Sequence, residues 1–227
     1  MGLRGRTLVL IAVTLTLLTT VLLSIVSAQT HREFGELEKS EAGKDAERAR
    51  DSLREYIAQM DSKLSDWSGW DDAVHYAQGN NETFEAANLL PEALRRLRLS
   101  ALVIYAEDGL VRWGGMLDKS GEQFVIPSDE LMAFGKPGGV LGKHESPASS
   151  TRGVMVVAGR LTLVASRPIV GSDGDGPIRG SMLWARHLDA ALIDRLSVVC
   201  HNDVFLEAPA AAGTDSAAAA VTVRVCD

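Results

Sequence analysis

Hydrophobic residues occur in one uninterrupted block near the start of the chain and in periodic patterns after it. No charged residue occurs from Thr7 to Thr30, and Leu8 to Ser27 is mostly Leu, Val, Ile, Ala and Thr. A helix of about 20 apolar residues crosses a hydrocarbon core of roughly 30 Å. The block therefore predicts a transmembrane helix over residues 7–28.

The charges around this block predict its orientation. Arg4 and Arg6 precede it without any acidic residue, so the positive-inside rule places residues 1–6 in the cytoplasm. Residues 29–227 would then be extracytoplasmic, on a single-pass protein of the inner cell membrane. The alternative is a cleaved signal peptide, because the small residues of Val26-Ser27-Ala28 precede Gln29. Both interpretations export the rest of the chain.

A helical stripe follows the apolar block. Between residues 31 and 65 apolar residues recur at steps of three and four, a period that predicts one long membrane-proximal helix. Its apolar face comprises Ala46, Ala49, Leu53, Tyr56, Ile57, Met60, Leu64 and Trp67. Such a face can pack against the domain that follows, or it can pair with a second copy or a receptor partner. The sequence leaves both possibilities open.

Two tryptophans and three aspartates come together at the end of this stripe, in Asp66-Trp67-Ser68-Gly69-Trp70-Asp71-Asp72. The segment continues the long helix or begins the next one, and Trp67, Trp70, Val74 and Ala77 fall on one helical face. Tryptophans at this spacing are typical of a hydrophobic core, and they can also form the wall of a ligand pocket.

Polar groups beside the tryptophans are candidates for binding. Asp71, Asp72 and His75 lie within one helical turn, and their carboxylates could hold a cationic group of a ligand. As metal ligands they form only a weak set, so no metal site is predicted. The alternative is structural, with these acids paired to Arg167 and Arg186 across the fold.

From residue 100 the apolar period changes from helical to two, which predicts strands. The strands are expected at 101–106, 110–114, 154–158, 161–166, 178–186 and 198–206, the last of them interrupted by His201-Asn202-Asp203. Asp108-Gly109 and Gly159-Arg160 are hairpin signals, and Ser128 and Asp189 are typical helix N-caps. Strands that follow one another as hairpins form antiparallel sheets. The sequence thus predicts an α+β fold with a long helix packed on about five antiparallel strands.

Charge and composition exclude several classes of function. The net charge is −7, and it becomes −9 when Arg4 and Arg6 are left out, whereas a nucleic-acid surface shows a basic excess. No Ser-His-Asp, P-loop or glycine-rich phosphate motif occurs, so neither catalysis nor a cofactor is predicted. Cys200 and Cys226 could form a disulfide outside the cell or remain free thiols.

Several motifs resemble one family. Asp66-Trp67-x-x-Trp70-Asp71-Asp72 is similar to the signature of the CHASE class four family of extracytoplasmic sensor domains. Further matches to that family follow in the same order, and they are Leu102 to Tyr105 with Asp108-Gly109, Ser166-Arg167-Pro168-Ile169, Gly176-Pro177-x-x-Gly180 and Arg186-x-x-Asp189. Together they place a sensor domain at residues 60–200.

The resemblance implies a PAS-like or Cache-like fold that acts as the input module of a histidine kinase, a diguanylate cyclase or a cyclic-di-GMP phosphodiesterase. The residues that it offers for an unknown small-molecule ligand are Trp67, Trp70, Asp71, Asp72, His75, Tyr105 and Arg167. Its signature residues with structural roles are Asp66, Asp108, Gly109, Pro168, Gly176, Pro177, Gly180, Arg186 and Asp189.

Receptors of this kind usually carry a second membrane span and a cytoplasmic output domain, and neither is found in this sequence. We therefore expect a truncated or split receptor, or a stand-alone partner of one. The alanine-rich residues 208–227, which we expect to be disordered, favour truncation.

Overall fold

One helix, α1 (Leu3–Ser68), runs through the first third of the chain. A computed structural model describes residues 3–200, 203–207 and 222–226. The description is limited to the backbone at residues 3–10, 26, 28–42, 200, 203–207 and 222–226. Three short helices follow, α2 (Asp71–Ala77), α3 (Thr83–Asn88) and α4 (Pro91–Leu97). The helical first part thus leads directly into a sheet.

Six antiparallel strands form the main sheet, in the order β3-β2-β1-β6-β5-β4. The strands are β1 (Ala101–Ala106), β2 (Val111–Leu117), β3 (Phe124–Val125), β4 (Thr151–Val157), β5 (Arg160–Pro168) and β6 (Gly180–His187). Helix α5 (Asp129–Phe134) lies between β3 and β4, and α6 (Ala190–Cys200) follows β6. A second, two-stranded sheet pairs β7 (Asp203–Glu207) with β8 (Thr222–Cys226).

The sheet separates two hydrophobic cores because neighbouring residues of a strand point to opposite faces. Leu102 and Ile104 of β1 face the core that contains α1, whereas Val103 and Tyr105 face the core that contains α5. Strands β1 and β6 lie at the centre of the sheet, and all eight residues of β6 are buried or half-buried. The sheet is therefore covered on both faces.

The predicted apolar stripe packs against this sheet. Ala49, Leu53, Ile57, Met60 and Leu64 are all at most 8% exposed, and α1 contacts β4, β5, β6 and α6. Packing on the following domain, one of the two expectations for this helix, is confirmed over residues 49–64.

The structure also confirms the expected α+β class, with one strand more than expected in the main sheet. Strand β3 has only two residues, too few to show a period. The strand expected at 198–206 is wrong in its first part, because α6 continues to Cys200 and β7 begins at Asp203. The side chain of Asp189 accepts a hydrogen bond from the Leu192 amide, and the capped helix extends through valines that favour strands.

The tryptophan segment breaks the helix instead of continuing it. Helix α1 ends at Ser68, and Trp70 has an extended backbone before α2 begins. The expected single helical face through Trp67 and Ala77 is therefore wrong. Within the described residues, no helix combines the length and apolarity that a membrane crossing requires. The expected span at 7–28 is part of α1 in its backbone, but not all of its side chains are described.

The expectation of a disordered tail over residues 208–227 is wrong for residues 222–226, which form β8 and pair with β7. Residues 208–221 lie outside the described residues, and so do the Cys200 and Cys226 side chains.

Truncating Leu64 to alanine is expected to destabilise the domain by about 2–5 kcal/mol, because its side chain is completely buried between α1 and the sheet. Leu110→Ala is the matched control, since Leu110 is 67% exposed, and we expect it to change stability by at most about 0.5 kcal/mol. Chemical denaturation followed by tryptophan fluorescence measures both values. Similar losses for the two variants would contradict the assigned packing of α1.

Candidate functional site

A buried carboxylate joins the long helix to the sheet. Asp61 of α1 has a side chain that is 3% exposed. Its two oxygens accept hydrogen bonds of 2.7 and 2.8 Å from Nε and Nη2 of Arg167 on β5. Arg152 of β4 donates to the same carboxylate at 2.7 Å, and so does the Ser150 hydroxyl. We call these four residues the Asp61 cluster.

The cluster keeps Asp61 ionised although it is buried. Burial alone would raise the pKa of this carboxyl, but hydrogen bonds from Arg167 and Ser150, with the charges of Arg167 and Arg152, outweigh burial and hold the pKa below its usual value. The hydrogen bond to Asp61 and the charge of Asp61 raise the pKa of the Arg167 guanidinium. A bidentate arginine–carboxylate pair has a fixed geometry, so the cluster fixes how α1 sits on the sheet.

The two tryptophans of the signature lie where α1 ends. Trp67 stacks on Trp70 with ring centroids 5.0 Å apart, and it packs against Trp184 in a T-shaped arrangement with centroids 5.6 Å apart. Trp67 is half-buried, Trp184 is fully buried, and Trp70 is 38% exposed. The stack therefore covers the end of the core that lies between α1 and the sheet.

The acids of the signature are exposed and hold a loop. Asp71 accepts hydrogen bonds from the backbone N–H and the hydroxyl of Ser172, at 2.9 to 3.0 Å. These bonds lower the pKa of Asp71. Asp72 accepts a hydrogen bond from Asn81 at 3.3 Å, and His75 is exposed on the same short helix. Asp71 thus ties α2 to the loop between β5 and β6.

The expected pairing of these acids with arginines is wrong. Arg167 binds Asp61, and Arg186 lies 5.8 Å above the ring of Tyr56, so both guanidinium groups have other partners than Asp71 and Asp72. Arg186 and Tyr56 form a second contact between the sheet and α1, through a cation–π interaction.

Tyr105 lies apart from the other candidate ligand residues. It belongs to the core on the α5 side of the sheet, and its hydroxyl donates to the Met132 carbonyl at 2.9 Å. Burial raises its pKa. The structure brings Trp67, Trp70 and Asp71 to the end of α1 and Arg167 to a cleft of about 370 Å³ beside Asp66, but it separates all of them from Tyr105.

The signature residues outside α1 and α2 shape turns and strand ends. Asp108 accepts from the Leu110 amide, and Gly109 has φ +79° in the β1–β2 hairpin. A Cβ on Gly180 would collide with the Tyr105 carbonyl oxygen, so this position needs glycine. Pro168 ends β5 in a buried position, and Gly176 and Pro177 lie in the following loop.

A larger cavity opens at the other end of the sheet. Its volume is about 900 Å³, and it lies where β1 begins, β2 and β6 end, and β4 turns into β5. Leu99, Leu131 and Val157 line it and are at most 3% exposed. More accessible apolar surface comes from Met116, Leu117 and Val125. The walls carry Arg95, Arg98, Lys119, Arg160, Arg186, His187 and Arg195, with the two carboxylates Asp118 and Asp189. We call this space the basic cavity.

Metal binding has no support in the part of the chain that the structure describes, where no group of three His, Cys, Asp or Glu side chains could hold an ion.

Comparison with known proteins agrees with this architecture. The model of the CHASE4 domain family matches residues 52–207. The chain belongs to the CHASE4 domain family. The methanogenesis regulatory histidine kinase FilI of Methanothrix harundinacea (strain 6Ac) is 25% identical over 161 residues, which cover 71% of this chain and 18% of that protein. This CHASE4 chain thus spans less than a fifth of the length of that relative.

Solved structures share the fold at low sequence identity. Methyl-accepting chemotaxis protein X superimposes with a TM-score of 0.50 at 14% identity, over 81% of this chain and 78% of that one. The periplasmic domain of Vibrio cholerae LuxQ gives a TM-score of 0.47 at 10% identity, over 79% and 78% of the two chains. Membership of the CHASE4 family supports a sensory input role for this chain.

The sequence patterns predicted neither the Asp61 cluster nor the basic cavity of this CHASE4 domain. A signal for Asp61 was present, because residues 57, 61 and 64 share the buried helix face and an acid there requires a partner. The basic cavity left no comparable signal in the sequence, since its cations come from α4, the β2–β3 connection, β5, β6 and α6.

Replacing Asp61 by asparagine is expected to destabilise the domain by about 3 kcal/mol near neutral pH, because two arginines lose their buried counter-charge. Asp51→Asn is the matched control on the same helix, where the exposed Asp51–Arg54 pair is worth less than about 1 kcal/mol. Urea denaturation measures both changes.

The pH dependence has a definite sign. The pKa of Asp61 is lower in the folded state than in the unfolded chain, so its stabilising contribution is present above the unfolded value of about 3.9. That contribution is lost as the pH falls through the folded pKa. The difference between wild type and Asp61→Asn should therefore be constant from pH 7 to pH 5 and shrink below about pH 4. A difference that grows on acidification would contradict the assigned ion pair.

Proposed function

We propose that this chain is the extracytoplasmic ligand-sensing domain of a membrane receptor of the histidine kinase, diguanylate cyclase or phosphodiesterase type. Membership of the CHASE4 family supports the sensory role, and the similarity to the histidine kinase FilI supports a kinase output. Ligand binding favours one of two packings of α1 on the sheet, and the helix carries the difference towards the membrane.

The Asp61 cluster is the observation that carries this proposal. Helix α1 has 66 residues without a break, so at 1.5 Å per residue it is about 100 Å long. Its last turns are fixed to β4 and β5 by a buried, bidentate ion pair. Such a pair does not deform continuously, so a shift of the sheet either moves the helix with it or breaks the pair.

The proposal includes a membrane tether at residues 7–28, with residues 29–227 outside the cytoplasm. Within this segment Ile11, Val13, Leu17, Leu22 and Leu23 are all more than half exposed. Apolar side chains on every side of a helix are expected to face lipid or a protein partner rather than water.

Pairing through the stripe at residues 49–64 has less support as an alternative function. Those side chains are buried in the chain's own domain, so they are not available to a second copy. We propose that any receptor partner contacts α1 nearer its N-terminus.

Alkaline phosphatase fused to the C-terminus of the full chain is expected to be active in bacterial cells and to sediment with membranes, because the enzyme matures only outside the cytoplasm. A green fluorescent protein fusion at the same point serves as the opposite reporter. Bright fluorescence with an inactive phosphatase would contradict the proposed orientation.

A chimera tests the signalling role. The full chain replaces the sensor of a histidine kinase of known output and is followed by that kinase's own second membrane helix and cytoplasmic domains. We expect Asp61→Asn to change basal kinase activity about fivefold or more, the range of a typical coupling energy between two states. Asp51→Asn should leave the activity at the wild-type level.

Arg152→Gln is a milder variant for this chimera, since the Arg152 side chain is 47% exposed and leaves the Arg167 pair in place. We expect it to shift basal activity in the same direction as Asp61→Asn. If folded Asp61→Asn and Arg152→Gln chimeras both kept wild-type activity, the cluster would have no signalling role.

A further inference from the structure

We propose that the basic cavity binds a small organic anion with at least two acidic groups, carboxylates or phosphates, and an apolar body. The proposal names a ligand class for the sensory role. Only the effect of binding on signalling rests on that role, since the binding itself can be measured separately. A cavity of about 900 Å³ lies within the usual size range of small-molecule sites.

The charge of the cavity is opposite to that of the chain. Six lysine or arginine side chains and two carboxylates line it, an excess of four positive charges, whereas the whole chain has a net charge of −7. The positive charges at the cavity lie near one another and therefore repel one another. Arg186 illustrates the cost, because burial lowers its pKa, Asp189 raises it, and the nearby charges of Arg98 and Arg195 lower it further.

The two carboxylates are already engaged by the backbone. Asp118 accepts hydrogen bonds from the Ser120 hydroxyl and from the amides of Glu122 and Gln123. Asp189 accepts from the Leu192 amide at the start of α6. Neither acid therefore serves mainly to neutralise the cations.

Most of the arginines at the cavity have no acidic partner. Within the described part of the chain, Arg98, Arg160, Arg186 and Arg195 form no ion pair within 4 Å, whereas Arg95 contacts Glu92 at 3.3 Å. Guanidinium groups bind carboxylates and phosphates through two parallel hydrogen bonds. Several such groups around one cavity can hold an anion with more than one acidic group.

The apolar lining of the cavity favours a ligand with an apolar segment. Met116 and Leu117 are half-buried at the cavity and Val125 is 42% exposed, and apolar ligand atoms that cover these side chains gain roughly 25 cal/mol per Å² removed from water. An inorganic anion satisfies the arginines but leaves these side chains in contact with water, so an organic body is favoured.

The position of Arg98 and Arg186 links the cavity to α1. Both also line a second cavity of about 300 Å³ whose other wall is Tyr56, Met60 and Lys63 of α1. The Arg186 guanidinium lies over the Tyr56 ring. An anion that binds Arg186 competes with this cation–π contact, and the packing of α1 on the sheet responds.

Calorimetric titration and thermal unfolding of the full chain in a mild non-ionic detergent test the binding, at constant ionic strength. The probes are suberate, octane-1,8-diyl bisphosphate and inorganic phosphate, with octane-1,8-diol and 1,8-diaminooctane as the uncharged and oppositely charged matches of suberate. We expect suberate or octane-1,8-diyl bisphosphate to bind and raise the melting temperature, more strongly than inorganic phosphate. The preferred probe then distinguishes a carboxylate from a phosphate ligand.

The double variant Arg98→Asn/Arg195→Gln removes two cavity cations. Both side chains are exposed, and asparagine tolerates the left-handed backbone at Arg98 (φ 58°). We expect the dissociation constant to rise about tenfold or more. Arg54→Gln together with Arg179→Gln is the charge-matched control outside the cavity and should keep wild-type affinity. If the double variant does not fold, Arg160→Gln at the exposed β4–β5 turn repeats the test.

No binding of any anionic probe, or equal affinity of wild type and a folded cavity variant, would overturn the proposal. The kinase chimera separates this outcome from a failure of the sensory role. Binding without any change in kinase activity would leave the anion site standing and argue against the receptor function. Tyr56→Leu should keep binding and lose the kinase response, and a response that survives this change would refute the route through Arg186.

Discussion

The buried Asp61 carboxylate is the constraint on which the rest of this domain depends. It lies on a face of α1 that the sheet covers, and it requires cations from two different strands, Arg152 and Arg167. An unpaired charge at this depth would cost several kcal/mol, so α1, β4 and β5 reach their final positions together. The hydrophobic contacts of Leu64 and its neighbours supply most of the stability, whereas the ion pair fixes the register between helix and sheet.

Two ends of the same sheet serve different purposes. At one end the Trp67–Trp70 stack and the Asp71–Ser172 contact close the core and hold the β5–β6 loop. At the other end six cations line the basic cavity, and most of its arginines form no ion pair within the described part of the chain. Strand β5 has nine residues and separates these ends by roughly 27 Å. The signature segment is therefore mainly a structural closure, and the cavity at the other end is suited to a ligand.

At each end of the sheet an arginine contacts α1. Arg167 contacts it by a buried ion pair and Arg186 by a cation–π interaction, and both arginines lie within family motifs identified from sequence. The first contact is strong and geometrically specific, and the second is weaker and more easily displaced. In the proposed receptor the Asp61–Arg167 pair keeps the helix attached to the sheet, whereas the contact between Tyr56 and Arg186 is the one that ligand binding breaks.

The sequence by itself determined the local elements and the family, because these depend on residues close together in the chain. The stripe from Ala49 to Leu64, the Asp108-Gly109 hairpin and the Asp189 cap were all recognised from spacing and residue type. Only the tertiary structure decided which partners Arg167 and Arg186 take and that Tyr105 lies on the other face of the sheet. The basic cavity is the clearest case, since its cations are separated by up to about a hundred residues and only the folding of the sheet brings them together.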